Sequence, residues 1–161
     1  MRLLIKQHFF SWGEKFDIYD EADQVRYRVR GEVFSIGSKL HVYDPAGNEV
    51  GFVRQKPFSL LPKYFIEQDG RALGAVTKKF SFKPRYLIDY NGWDCKGDFT
   101  GWNYLVEEPT GAEVARIHKE LFHWGDTYVI DYYRQQDELP VLMLVLAIDA
   151  ANAAAAAAAS D

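Results

Sequence analysis

Apolar residues recur with a period of two in six short stretches of the chain. These are Phe16-Asp17-Ile18, Leu40-His41-Val42, Tyr64-Phe65-Ile66, Tyr86-Leu87-Ile88, Tyr104-Leu105-Val106 and Tyr128-Val129-Ile130. Each opens on an aromatic residue or leucine and closes on a β-branched residue, and the middle position varies. A period of two puts the first and third positions on one face of a β-strand. The triplets start 24, 24, 22, 18 and 24 residues apart. That regularity marks a repeated supersecondary unit that must associate with its neighbours to bury its apolar face.

Other columns recur around the triplet. A phenylalanine precedes each one, at Phe10, Phe34, Phe58, Phe80, Phe99 and Phe122, and a small hydroxyl residue follows it in all but the last. Turn signals follow several triplets: Pro45-Ala46-Gly47-Asn48, Asp69-Gly70, Asn91-Gly92 and Pro109-Thr110-Gly111. Asp-Gly and Asn-Gly reach positive φ at low cost and suit tight hairpins. Beyond the turns, Val29, Val53, Val76 and Ile117 occupy matching positions of a second strand. A first strand from about Leu3 to Phe10 supplies the opening partner. Two strands per unit give about twelve antiparallel strands in a meander, and closure into a barrel removes the long edges of so wide a sheet.

The pattern breaks at residues 138–150, ELPVLMLVLAIDA, which are apolar on every side from Val141 to Ile148. Pro140 suits a first helical turn, and leucine, methionine and alanine favour helix. A helix without a polar face is buried in protein or lies in a membrane, and a twelve-stranded barrel is too wide for its own side chains to fill. The prediction is therefore a mainly-β closed barrel around a central C-terminal helix. It forms one domain over residues 1–150, followed by an Ala-rich tail at 151–161.

On that six-unit β pattern and the terminal helix ending Ala147-Ile148-Asp149-Ala150, the chain resembles the LURP-one-related family. That family shares its fold with tubby C-terminal domains and phospholipid scramblases. The resemblance implies a twelve-stranded barrel around a hydrophobic helix and no established enzymatic activity. Because tubby domains bind phosphoinositides, it also implies anionic phospholipid as a candidate partner. No motif allows individual lipid contacts to be transferred to residues here.

Net charge of −4 argues against a general nucleic-acid binder, which needs a cationic surface. Cys95 is the sole cysteine, so no intramolecular disulfide forms, as expected in a reducing compartment. The start, MRLLIKQHFF, is too short and too soon charged for a signal peptide. The C-terminal apolar run is long enough to cross a bilayer, but Asp149 and Asn152 interrupt it and its strongly hydrophobic part is short. A buried helix, no transmembrane segment and a cytoplasmic protein with peripheral membrane attachment are expected.

Two surfaces emerge as candidates. Lys15, Lys39, Lys63 and Arg85 stand immediately before four triplets. In a meander these positions share one rim, where they could hold anionic head groups or an acidic partner, or simply keep strand ends solvated. The run Arg26-Tyr27-Arg28-Val29-Arg30 places further cations on one strand face. Second, the middle triplet positions point outward, and Phe65, Leu87, Leu105 and Val129 suggest an apolar outer face for a protein partner or a homodimer.

Catalysis finds no constellation. The histidines His8, His41, His118 and His123 lie apart, and no spacing among them suits zinc. Cys95 is a lone strand cysteine, Glu107 and Glu108 point to opposite faces, and no nucleophile elbow or phosphate loop occurs. A non-enzymatic binding module without catalytic residue, metal or cofactor is expected, with an interaction scaffold as the alternative.

Overall fold

The computed structural model describes residues 1–6, 15–32 and 36–159. Twelve strands run in chain order: β1 (Arg2–Ile5), β2 (Lys15–Asp20), β3 (Val25–Gly31), β4 (Lys39–Tyr43), β5 (Glu49–Gln55) and β6 (Lys63–Gln68), then β7 (Arg71–Lys79), β8 (Arg85–Ile88), β9 (Asp94–Asp98), β10 (Asn103–Glu107), β11 (Glu113–Phe122) and β12 (Gly125–Tyr132). All pair antiparallel in one sheet ordered β8-β7-β6-β5-β4-β3-β2-β1-β12-β11-β10-β9. The N-terminal strand thus zips onto the last, with Arg2 opposite Asp131 and Ile5 opposite Tyr128. The predicted first strand is seen as β1; positions 7–10, with the Phe10 and Phe34 columns, lie outside the described residues.

Every first and third triplet residue is buried, from Phe16 and Ile18 to Tyr128 and Ile130. The matching residues of the return strands complete the layers: Val29 pairs with Phe16, Val53 with Leu40, Val76 with Tyr64 and Ile117 with Tyr104. Register shifts follow Ile18, Val42, Ile66 and Val106, the last residue of four triplets. A bulge adds local twist, and its repetition at one place in the unit curls the sheet toward closure. In the β6–β7 hairpin turn Asp69 and Gly70 have φ of 52° and 76°, and in the turn between the unpaired strands β8 and β9 Asn91 and Gly92 have 57° and 66°. Two positive φ values in succession are what a primed turn requires.

After a 3-10 turn, Gln135–Asp137, the helix α1 (Glu138–Ala159) runs through the barrel. Val141 to Ile148 are almost wholly inaccessible, so the long apolar helix is the protein's core. Gly51 lets it approach β5: a Cβ there would lie 2.7 Å from the Met143 sulfur. At the helix entrance the buried Glu138 accepts hydrogen bonds from Tyr132, from Tyr27 at 2.5 Å and from Arg26 at 2.8 Å. Burial alone would push this carboxyl up, but those three donors outweigh it and hold its pKa low. Asp149, near the exit, is pushed up to about 7 by desolvation.

The structure departs from the sequence reading in two places. The helix does not end at residue 150: Ala151 is buried and Asn152 donates to the Phe99 carbonyl at 2.9 Å, so the first part of the tail belongs to the packed helix. And the barrel closes except along one seam, because β8 pairs only with β7 and β9 only with β10. The seam falls in the shortest repeat, the 18 residues from Tyr86 to Tyr104. Its two strands have only four and five residues, and Gly97 in the second holds φ at 134°.

Candidate functional site

Antiparallel order sends β2, β4, β6 and β8 the same way, so Lys15, Lys39, Lys63 and Arg85 all open their strands at one rim. The register adds cations that sequence alone did not group with them. Lys15 lies opposite Arg30, Lys39 opposite Arg54, and Arg85 opposite Lys79. Three of the four predicted cations thus face a like charge directly across a ladder, an arrangement that costs stability. Lys39 approaches Glu32 at 3.6 Å, and Arg54 lies over the Phe65 ring at 4.7 Å. Lys15, Arg30, Lys63, Lys79 and Arg85 have no ion pair among the described residues.

The connections that cap this rim carry large apolar side chains pointing into solvent. Phe58, Leu60, Phe80 and Phe82 are each more than nine-tenths exposed, and Ile36 about two-thirds. Phe58 holds φ at 55°, a conformation that bulky side chains avoid. Lys56, Lys78 and Lys83 flank these tips, and neither residues 50–66 nor residues 71–88 include an acid. The same column is buried further along: Phe99 packs edge-on to Tyr86 and against Tyr104, both at 5.0 Å between ring centres. Helix α1 emerges at this rim, since Asn152 also accepts from Tyr86 at 3.2 Å.

The opposite rim is acidic. Its hairpin turns hold Asp20, Glu21 and Asp23, then Asp44 and Glu49, then Asp69, and Glu107 with Glu108. On the β5–β8 side of the barrel the cations gather where the apolar tips project, while the rest of that rim carries Glu32, Asp98 and Asp126, and the opposite rim also holds Arg71 and Arg134. In the Arg26–Arg30 run, alternate side chains do share the outer face: Arg28 reaches Asp17 at 3.6 Å, and Arg26 is committed to Glu138.

The proposed outer apolar face is not assembled. Phe65, Leu87, Leu105 and Val129 sit on alternate strands β6, β8, β10 and β12, separated by polar neighbours such as Lys96 and Arg116 opposite Leu105. Val129 is wholly buried, as is Leu4, its partner across the ladder, and only Leu87 is substantially exposed.

Groups capable of chemistry are held in structural roles. His41 bridges Glu32, at 2.8 Å, and Glu49, while His118 meets Asp131 at 2.9 Å. His123 packs edge-on against Trp124, and His8 lies outside the described residues. Cys95 is buried, and burial pushes its thiol up, away from the nucleophilic thiolate. Among the described residues no three His, Cys, Asp or Glu converge as metal ligands.

Comparison with known proteins agrees with this architecture. An X-ray structure of an Arabidopsis thaliana protein superposes with a TM-score of 0.65 over 92% of this chain and 89% of its own, at 18% identity, which establishes likeness of fold. The uncharacterized protein YxjI of Bacillus subtilis is 32% identical over 151 residues, covering 92% of each chain. The profile of the LURP-one-related family matches residues 1–149. The chain belongs to the LURP-one-related family.

Proposed function

We propose that this chain is a non-catalytic module that docks on anionic phospholipid surfaces through its basic rim. The observation that carries this reading is the coincidence, at one end of the barrel, of like-charged cross-strand pairs with solvent-facing phenylalanines. Each like-charged pair costs on the order of half a kcal/mol in the free protein, and an anion placed between its members removes that cost. An isolated ring of lysines would serve solubility, but solubility is not helped by aromatic side chains held wholly in water. A bilayer surface accepts both features. The apolar tips enter the headgroup boundary, and each cation near the surface contributes about 1 kcal/mol. The acidic rim faces away from the membrane, so the molecule approaches with a set orientation.

Sedimentation with phosphatidylcholine vesicles, with and without phosphatidylserine, tests the reading. Binding is expected only with the anionic lipid and is expected to fall steeply between low and physiological salt. Exchanging Lys15, Lys39, Lys63 and Arg85 together for glutamine removes it. Exchanging Phe58 and Phe80 for serine weakens it even at low salt. Equal binding to neutral vesicles, or binding indifferent to both sets of substitutions, overturns the proposal.

A further inference from the structure

Three cations at one corner of the basic rim lack a counter-charge. Lys79 ends β7 directly opposite Arg85 at the start of β8, and Lys83 stands in the connection between them. None of the three has an ion pair among the described residues. All three line an open groove of about 570 Å³ beside the junction of β8 with β9. The groove's fourth cation, Lys96, is already committed: Glu107 holds it at 2.8 Å, and Asp94, the one carboxylate of the lining, adds to the field on it. Asp98, at the end of β9, faces its own turn, accepting from the Thr100 hydroxyl and the Gly101 N–H, both at 3.0 Å. Tyr86 and Phe99 meet with ring centres 5.0 Å apart and close the groove toward the helix, so an occupant stays at the surface of the barrel.

This corner is stiff, and its depth at a bilayer is set by its neighbours. Pro84 fixes φ between Lys83 and Arg85 and restricts Lys83 in turn, so the two cations have little backbone freedom to lose on binding. Phe80 and Phe82, which lie between Lys79 and Lys83 in the chain, are each more than nine-tenths exposed. With those rings in the apolar boundary of a bilayer, the cations one residue away stand at the level where phosphate joins glycerol.

We propose that the Lys79–Lys83–Arg85 corner binds a lipid phosphomonoester carried directly on glycerol, as in phosphatidic acid. The inference rests on the membrane reading and adds a headgroup to it. Charge favours this group, because a phosphomonoester carries about −1.5 to −2 at neutral pH, more than a phosphodiester. Its terminal oxygens accept the paired N–H groups of the Arg85 guanidinium and leave others for the two ammonium groups. Repulsion disfavours the common alternative. Phosphatidylserine brings an amine of its own, and the corner has no free carboxylate to receive it. Depth disfavours a phosphate held further out on a larger headgroup, which stands above the cations that Phe82 draws toward the acyl boundary.

The test is sedimentation of the full chain with phosphatidylcholine vesicles that carry equal fractions of phosphatidic acid, phosphatidylglycerol or phosphatidylserine. Phosphatidic acid is expected to bind about tenfold more tightly than the other two, and the preference should widen from pH 6 to pH 8 as its phosphate gains a second charge. Lys79→Gln with Lys83→Gln, both at exposed positions, should bring phosphatidic acid down to the level of phosphatidylglycerol. Arg85→Lys keeps the charge but loses the paired donors, and should reduce the preference. Lys39→Gln with Lys63→Gln, on β4 and β6, should weaken all three lipids alike and leave their ratio unchanged. Glycerol 3-phosphate offers the same group in water; it should compete only at millimolar concentration while shifting the amide resonances of Lys79, Lys83 and Arg85. Equal affinity for the three lipids, a preference that survives the Lys79 and Lys83 substitutions, or tighter binding to phosphatidylinositol 4-phosphate overturns the inference and leaves the membrane reading in place. Micromolar binding of glycerol 3-phosphate without a preference among vesicles also overturns it and assigns the corner to a soluble phosphate. No binding to any anionic vesicle overturns both readings.

Discussion

Replacing Lys79 with glutamate separates the cost of the basic rim from its use. Lys79 is exposed at the end of β7, directly opposite Arg85. In the native protein that pair repels, and in Lys79→Glu it attracts. Cross-strand charge pairs are worth roughly 0.2–1 kcal/mol, so the reversal should gain about 1 kcal/mol of stability at low salt, less at physiological salt. In a domain of this size that gain raises the melting temperature by about 2–4 °C. Binding should move the other way. Reversing one charge at an anionic surface forfeits about 2 kcal/mol, roughly thirtyfold in vesicle affinity. One thermal melt and one sedimentation series on the same preparation measure both. A variant that is more stable and binds less identifies a rim selected for contact with anions. A variant that melts lower, or binds phosphatidylserine vesicles unchanged, refutes the reasoning.

Other expectations concern the core. Leu144 is wholly buried in mid-helix, so Leu144→Asp places an unpaired carboxylate in the core at several kcal/mol and should leave no cooperative melt; a normal melting curve removes the helix from the barrel centre. Gly51→Val should lower stability by about 1–3 kcal/mol in chemical denaturation, because its side chain meets the Met143 sulfur. Asp149 links stability to pH. Its carboxyl is raised from the ordinary 3.8 to about 7, so the folded state keeps a proton that the unfolded chain has released. Stability therefore falls as pH rises through that window and stays lower above it, by on the order of 2 kcal/mol once the residue's partial exposure is allowed for. Asp149→Asn should flatten the dependence and stabilise the protein at pH 8; an unchanged pH profile means that the carboxyl is solvated.

The inward faces of the strands were legible because burial forces a period of two, and all twelve outer positions of the six triplets point to the core. The helix was legible because a helix apolar on every side must lie in a protein core or a bilayer, and the strongly hydrophobic part of this one is short for a bilayer. The cation pairs were not, because Arg54 and Lys79 come opposite Lys39 and Arg85 only through a register that turn lengths and bulges decide together. The same column of phenylalanines is solvent-facing at Phe58 and Phe80 and packed at Phe99. Which is which depends on whether the loop lies over neighbouring rings, a fact of tertiary structure. Alternation put Val129 outside, yet both Val129 and Leu4, its partner across the β1–β12 ladder, are buried. The seam left its only trace in the shortened spacing between Tyr86 and Tyr104.

The pairing of β1 with β12, and the helix that follows it, sets a timetable for biosynthesis. The first strand made finds half of its partners in the last, and Met1 is tied through its amino group to the Tyr132 carbonyl 131 residues away. The core itself is translated after every strand that surrounds it. At roughly 5–20 residues per second, the early hairpins wait on the order of ten seconds with their apolar faces open to water. Closure of the barrel therefore waits until α1 has been made. A chain stopped before Leu139 is a sheet with no interior, a client for chaperones and proteases and not a weaker version of the barrel.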